Sequence, residues 1–406
     1  MRLVISFAAL LLSVAFLQLS SGGVGPLDAL SGLALDFTRR EIGLLGSAHF
    51  LGFFIGCWWA PRLMGSIGHS RAFAAFTATG AIGLLAHMLV IDASAWAALR
   101  VMSGMSVAGC YTVVEAWLQA KVTNETRGRA MASYRIVDMG ASLVAQLMIG
   151  VLEPASYVSY NLLALLCCAS LLPLTLTTAS QPKTPSAPRL HPMMAFAKSP
   201  LAAAAVITAG LTSAAFRMVG PIYGQQVGLS ADQIGYFLAA FVAGGALAQY
   251  PAGWLADKYD RRTVLIWFSV AAVISCVLTT SLPLSAQTVL MTTALFGFTT
   301  FPIYSVAAAH AHDFATSEER VELSAALMFL FALGAIASPL TASSLIDAYG
   351  PEALFYLIAA SHVALIAFGL ARRFARPTTL TRTPYVYTPR TSFLNGKLTR
   401  GQRDGK

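Results

Sequence analysis

The chain has 406 residues, of which 56% are hydrophobic and only 11% charged. A soluble domain usually carries about 25% charged residues, so this chain could not cover an aqueous surface, and the composition points to a membrane. The net charge of +9 does not indicate nucleic acid, because nine of the lysines and arginines lie at or after Arg372, beside the last apolar run.

One membrane span needs about 20 apolar residues. The apolar runs and their breaks predict twelve such helices. Six fall at 3–33, 41–62, 72–91, 95–120, 129–150 and 156–178, and six more at 200–224, 231–256, 263–282, 286–311, 322–346 and 350–373. The first run is longer than the apolar stretch of a cleaved leader, so it reads as a span. Between the two sets lies Gln181-Pro182-Lys183-Thr184-Pro185-Ser186-Ala187-Pro188, whose prolines predict an extended linker. The expected organisation is a six-helix bundle over 1–178, a linker over 179–199, a second six-helix bundle over 200–373 and a basic, disordered tail over 374–406. All five cysteines (Cys57, Cys110, Cys167, Cys168 and Cys276) fall inside apolar runs without metal-ligand spacing, and neither a disulfide nor a metal site is expected.

Orientation follows from the positive-inside rule. With the N-terminus in the cytoplasm, 22 of the 27 lysines and arginines are cytoplasmic and two, Arg39 and Arg40, are outside. Arg100, Arg135 and Arg217 remain within spans. The bias supports an even number of spans, both termini inside, and a multi-pass protein of the cell inner membrane.

The halves repeat. Gln233-Ile234-Gly235 aligns with Glu41-Ile42-Gly43, and the same offset puts Gly52 on Gly244 and Ala60 on Ala252. Two related halves in parallel are the layout of one class of secondary transporter.

The loop after the eighth span reads Gly253-Trp254-Leu255-Ala256-Asp257-Lys258-Tyr259-Asp260-Arg261-Arg262. It resembles the cytoplasmic loop motif G-x-L-A-D-R-x-G-R-R of the major facilitator superfamily, with Asp260 in place of the second glycine. In this motif Gly253 would let two helices approach, Asp257 would accept hydrogen bonds from a helix N-terminus, and Arg261 and Arg262 would hold the turn in the cytoplasm. The first-half copy keeps the turn glycine, Gly68, but has Gly65 where the acidic residue belongs. The fourth span opens with Arg100-Val101-Met102-Ser103-Gly104, similar to the family's R-x-x-x-G-x-G-x-A pattern, whose arginine is often linked to proton coupling. With Glu115, Trp117 and the loop Thr123–Arg129, the chain looks like the YcaD-like branch. The resemblance spans about residues 3–373 and implies an all-α membrane protein of twelve helices in two six-helix bundles that open alternately to each side.

Charges within spans are costly and mark functional positions. At 1.5 Å per residue, Arg135 and Asp138 lie about 9 and 14 Å into the fifth span, spaced i, i+3 on one face. Asp138 is thus the carboxylate nearest the midplane. It could exchange a proton while Arg135 or Arg217 contacts solute, or it could form a structural pair with Arg135. Gln146 lies two turns beyond Asp138. Arg100 falls near the outer end of its span, and Glu115 near the cytoplasm, where it would brace Arg127 or Arg129.

No G-x-x-x-x-G-K-[ST] phosphate loop occurs, so ATP is not the expected energy source. No cofactor and no catalytic set is expected. The resemblance implies a monomeric secondary transporter for a small polar solute, most simply proton-coupled uptake, with a vitamin such as riboflavin as one candidate. The fifth span lacks the Pro-Gly pattern of drug antiporters, which favours uptake over efflux of a drug or metabolite. A sensor or scaffold would normally add a folded soluble domain, for which the tail is short.

Overall fold

The computed structural model describes residues 2–122, 126–176, 190–283, 285–316 and 318–375, together with 385, 391 and 392. The linker prolines Pro182–Pro188 and most of the tail lie outside the described residues, as does the Arg127 side chain. Two compact units are present, residues 1–188 with 391–406, and residues 189–390.

The first unit contains α1 (Arg2–Ala34), α2 (Arg39–Ile67), α3 (His69–Ala86), α4 (Ala93–Lys121), α5 (Arg127–Leu147), α6 (Tyr157–Ala169) and α7 (Leu171–Thr175). The second contains α8 (Pro192–Lys198), α9 (Pro200–Gln226), α10 (Ala231–Leu247), α11 (Gln249–Lys258), α12 (Arg261–Ser281), α13 (Ala286–Thr300), α14 (Pro302–His312), α15 (Arg320–Tyr349) and α16 (Ala353–Ala375). The chain is therefore an all-α membrane protein of two six-helix bundles, twelve spans in all.

Three spans are broken, and proline explains each break. A proline has no N–H to give the carbonyl four residues back, and its ring crowds that carbonyl. Pro173 stands four residues after Ala169, where α6 ends, and Pro251 four after Leu247, where α10 ends. Pro302 opens α14 directly after the break at Phe301. The short α8 falls in the stretch expected as linker and packs on α15.

Ten segments among the described residues are long and apolar enough to cross a bilayer. Neither α3 nor α5 is among them. The first is short and opens on His69-Ser70-Arg71, and the second carries Arg135, Asp138 and Gln146. Large apolar side chains such as Ile82, Leu85, Leu165 and Val277 are exposed, as lipid-facing residues are, since hydrocarbon leaves no reason to bury them.

The internal repeat is structural. Thr38 caps α2 in a capping box with Glu41, whose Oε2 accepts from the Thr38 N–H at 2.8 Å. Ser230 caps α10 in the same way with Gln233, at 2.9 Å. Gly52 and Gly104 sit where a Cβ would overlap the Val101 and His49 carbonyl oxygens, so α2 and α4 touch backbone to backbone. Gly244 and Gly297 do the same for α10 and α13 against Ala294 and Phe241. Small residues that let backbones approach are how membrane helices gain dispersion contact where no hydrophobic drive exists between them.

The turn between second and third spans also repeats, by different means. Gly68 adopts φ +86°, which favours glycine. Its counterpart Asp260 has φ −59° and instead caps α12, its Oδ1 accepting from the Arg262 N–H at 3.0 Å. The substitution of Asp260 for the motif glycine thus replaces a glycine turn with a side-chain cap.

Candidate functional site

In the first unit the α5 face expected to carry chemistry packs on α1. Tyr111 on α4 reaches between them, its hydroxyl 2.7 Å from Asp138 Oδ1 and also in hydrogen-bond contact with Gln18 Oε1. One phenol has one proton. It cannot donate to both an ionised carboxylate and an amide oxygen. Both contacts are made if Asp138 carries a proton and donates to Tyr111, which then donates to Gln18. If Asp138 is ionised, the Gln18 amide must turn so that its nitrogen donates instead. One turn along α1, the Gly22 carbonyl accepts from Gln146 Nε2 at 3.0 Å. Asp138 and Gln146 therefore share the α1-facing side, as their spacing predicts. The Arg135 guanidinium lies over the Tyr134 ring, 5.4 Å from its centroid.

Arg100 is placed differently. It is buried on α4, with Nε 3.3 Å from Asp28 Oδ2. The other oxygen of Asp28 accepts from the Tyr160 hydroxyl at 2.8 Å. His87, stacked on Tyr160 with centroids 5.0 Å apart, presents Nε2 to Asp28 Oδ2 at 3.5 Å. Its Nδ1 lies 2.6 Å from the Gly83 carbonyl oxygen, an acceptor, so Nδ1 carries hydrogen. Trp96 closes the cluster by donating to the His87 and Val90 carbonyls at 2.8 and 2.9 Å. Arg100 is thus held by Asp28, and it borders a narrow cavity lined in part by Ser20, His49, Ser103 and Ser106.

Glu115 is fully buried. Its Oε1 accepts from the Tyr134 hydroxyl at 3.1 Å and from the Thr391 hydroxyl, and its Oε2 accepts from Ser392 at 2.5 Å. These tail residues belong to a segment expected to be disordered, yet Ser392 is itself buried. Arg129, the expected partner whose side chain is described, is exposed.

In the second unit the loop motif divides its labour. Arg261 is buried rather than turned to the cytoplasm. Its Nη1 donates to Asp313 Oδ1 at 2.8 Å and to the Ala309 carbonyl at 2.9 Å. Asp257 Oδ1 accepts the Tyr385 backbone N–H at 2.7 Å and Arg261 Nη2 at 3.4 Å. Gly253 faces the Tyr385 ring, which a Cβ would meet at 2.9 Å. The space it leaves is filled by the tail, not by a second helix. Arg262 turns to Asp260, with Nη2 to Oδ2 at 3.1 Å. Asp260 is half-buried, which alone would raise its pKa, but the hydrogen bonds and charge of Arg262 outweigh that and hold the carboxyl below its usual range. Arg217 lies 5.8 Å from the Phe301 ring centroid. It stands beside an aromatic core in which Phe216 packs on Phe237, Phe241, Phe296 and Phe355.

The residues missed by sequence reasoning are Gln18, His87, Tyr160, Thr391 and Ser392. Asp28 is a charge within a span, but its partners lie on α4, on α6 and in the turn after α3. The one available signal for the tail was the apolar content of Ser392-Phe393-Leu394 within a basic segment.

Comparison with known proteins agrees with the fold. The family model for the Major Facilitator Superfamily matches residues 201–398. An uncharacterized MFS-type transporter of Yersinia pestis is 27% identical over 354 residues, 85% of this chain and 89% of its own length. The uncharacterized MFS-type transporter YcaD of Escherichia fergusonii is 27% identical over 342 residues, covering 83% and 87%. The chain is similar to members of the major facilitator superfamily, through the family model in its second half and through these relatives over most of its length. Solved structures with this superfamily fold superpose well. The nucleoside transporter NupG gives a TM-score of 0.72 at 16% identity, covering 91% of this chain and 99% of its own. A bacterial homolog of the human lysosomal transporter Spinster, inward-facing and occupied, gives 0.71 at 15%, covering 91% and 96%. At such identities the likeness is one of fold. The chain is a multi-pass membrane protein.

Proposed function

We propose that the chain is a secondary active transporter that moves a small polar organic solute by alternating access, in the direction of uptake and coupled to protons, with Asp138 as the proton carrier. The observation that carries the coupling is the single Tyr111 hydroxyl set between Asp138 Oδ1 and Gln18 Oε1. That arrangement is complete with a proton on Asp138 and needs a rearrangement without one, so proton loss is tied to movement of a side chain on α1. A small differential preference of this kind is what shifts a two-state protein between conformers. The lysine and arginine bias supports both termini in the cytoplasm of a cell inner membrane. The protein acts as a monomer and not as an enzyme in this reading.

The test is uptake by full-length protein in sealed proteoliposomes under an imposed proton gradient. Riboflavin is the first solute, followed by a panel of vitamins, nucleosides and sugars. The expected result is accumulation that a protonophore abolishes and that Asp138→Asn loses. Accumulation insensitive to both would overturn the coupling. Accumulation only when the gradient is reversed would make it an efflux antiporter.

A further inference from the structure

We infer that Glu115 is a binding site for a pair of neighbouring hydroxyl groups, held in this state by the chain's own Thr391 and Ser392, and that the solute it takes is a neutral polyhydroxylated molecule. The inference deepens the transporter reading and rests on it for the word solute. The site itself rests on geometry alone.

An ionised carboxylate only accepts hydrogen bonds and has room for about four. Buried without them it is strongly unfavourable. Glu115 is buried on α4 and receives one hydroxyl from within the helical bundle, that of Tyr134 on α5. The other two come from adjacent residues of the tail, Thr391 on Oε1 and Ser392 on Oε2. These donors stand 276 and 277 positions away and belong to no helix of the unit. One hydroxyl per carboxylate oxygen, from two neighbouring attachment points, is the contact a diol makes with a carboxylate. The tail therefore stands where such a solute would stand. Tyr134 stays to bind whichever ligand is present, with the Arg135 guanidinium over its ring. A solute bearing its own carboxylate or phosphate would bring like charge to a buried acid and is disfavoured.

The experiment uses the full-length protein in nanodiscs and reads tryptic cleavage of the Arg390–Thr391 bond, which is expected to slow while Thr391 and Ser392 are held by Glu115. Each hydrogen bond to a charged group is worth about tenfold or more, so losing both is expected to raise cleavage about a hundredfold or more. The double substitution Thr391→Val with Ser392→Ala accelerates cleavage by that factor. Ribitol accelerates cleavage of the wild-type chain saturably, whereas hexane-1,6-diol, whose hydroxyls are not neighbours, and ribonic acid do not. Glu115→Gln cleaves fast from the start and ignores ribitol. If the tail variant cleaves at the wild-type rate, the tail is no ligand of Glu115. If it cleaves fast but ribitol does nothing to the wild type, the hydroxyl-pair site is wrong; the tail variant decides this even if Glu115→Gln does not fold. Ribitol that displaces the tail yet never enters sealed vesicles would keep the site and remove transport of this class. Gradient-driven entry of another solute without displacement would keep transport and remove the site.

Discussion

The Tyr111 hydroxyl lies 2.7 Å from Oδ1 of Asp138, and the same oxygen contacts Gln18 Oε1 on α1. This relationship links a carboxylate on α5 to a neighbouring helix through one proton. Tyr111→Phe removes the link while keeping the ring that packs in the core. Gradient-driven uptake is expected to fall about tenfold, the size of one hydrogen bond to a charged group. Exchange of labelled for unlabelled solute without a gradient is expected to persist. Equal loss of both would mean that Tyr111 serves binding or folding instead.

The backbone contacts at glycine make a sharp contrast. A Cβ at Gly104 or Gly244 would overlap a carbonyl oxygen of the facing helix, whereas one at Gly140 meets nothing within 4 Å. Gly104→Ala and Gly244→Ala are expected to destabilise by about 1–3 kcal/mol, the usual cost of overpacking. Gly140→Ala is expected to be neutral or stabilising by up to about 1 kcal/mol through helix propensity. Thermal unfolding in detergent checks all three.

Arg261 and Asp313 have side chains only 1% and 2% exposed. Removing one partner leaves a buried charge, which costs about 3–5 kcal/mol. Arg261→Ala is therefore expected to lower stability by that amount. Replacing both residues with leucine should recover much of it. If the single and double variants melt together, the pair contributes through something other than its charge.

Outside the spans, Lys198 holds Glu319 at 2.7 Å and ties α8 to the start of α15. The hydrogen bond from Lys198, aided by the Thr316 N–H, keeps the Glu319 carboxyl below its ordinary 4.5. The unfolded chain therefore binds this proton first as pH falls. The tie is fully present above pH 4.5 and is lost as pH drops through the lowered folded value. Because the pair is partly exposed, the effect is small and salt-sensitive. Melting a pH unit above and a unit below 4.5 should show a smaller acid loss in Glu319→Gln than in the wild type. Identical losses would remove Glu319 as a contributor.

Much of the fold was legible because its signals are local. The capping boxes at Thr38 and Ser230 and the close-contact glycines Gly52 and Gly244 recur at one offset, so the repeat can be read from the letters. The spacing of Asp138 and Gln146 likewise put both on one face. The partners of those residues were not legible. Asp28, Arg100 and Tyr160 come from three helices and His87 from the turn after α3, and nothing local says that a stacked histidine and a tyrosine hydroxyl converge on one carboxylate. The tail misled for a related reason. Its charge reads as solvation, whereas its docking depends on a backbone N–H at Tyr385 and two hydroxyls, groups that nearly every segment possesses.

The central claim is that Asp138 holds the transported proton, and infrared difference spectroscopy tests it without knowledge of the solute. The full-length protein in lipid is titrated across neutral pH, and the spectra of wild type and Asp138→Asn are subtracted. The expected result is a protonated-carboxyl band in the wild type that the variant lacks and that Tyr111→Phe shifts in frequency. Wild-type and Asp138→Asn spectra with the same carboxyl bands would contradict the assignment of the proton to Asp138.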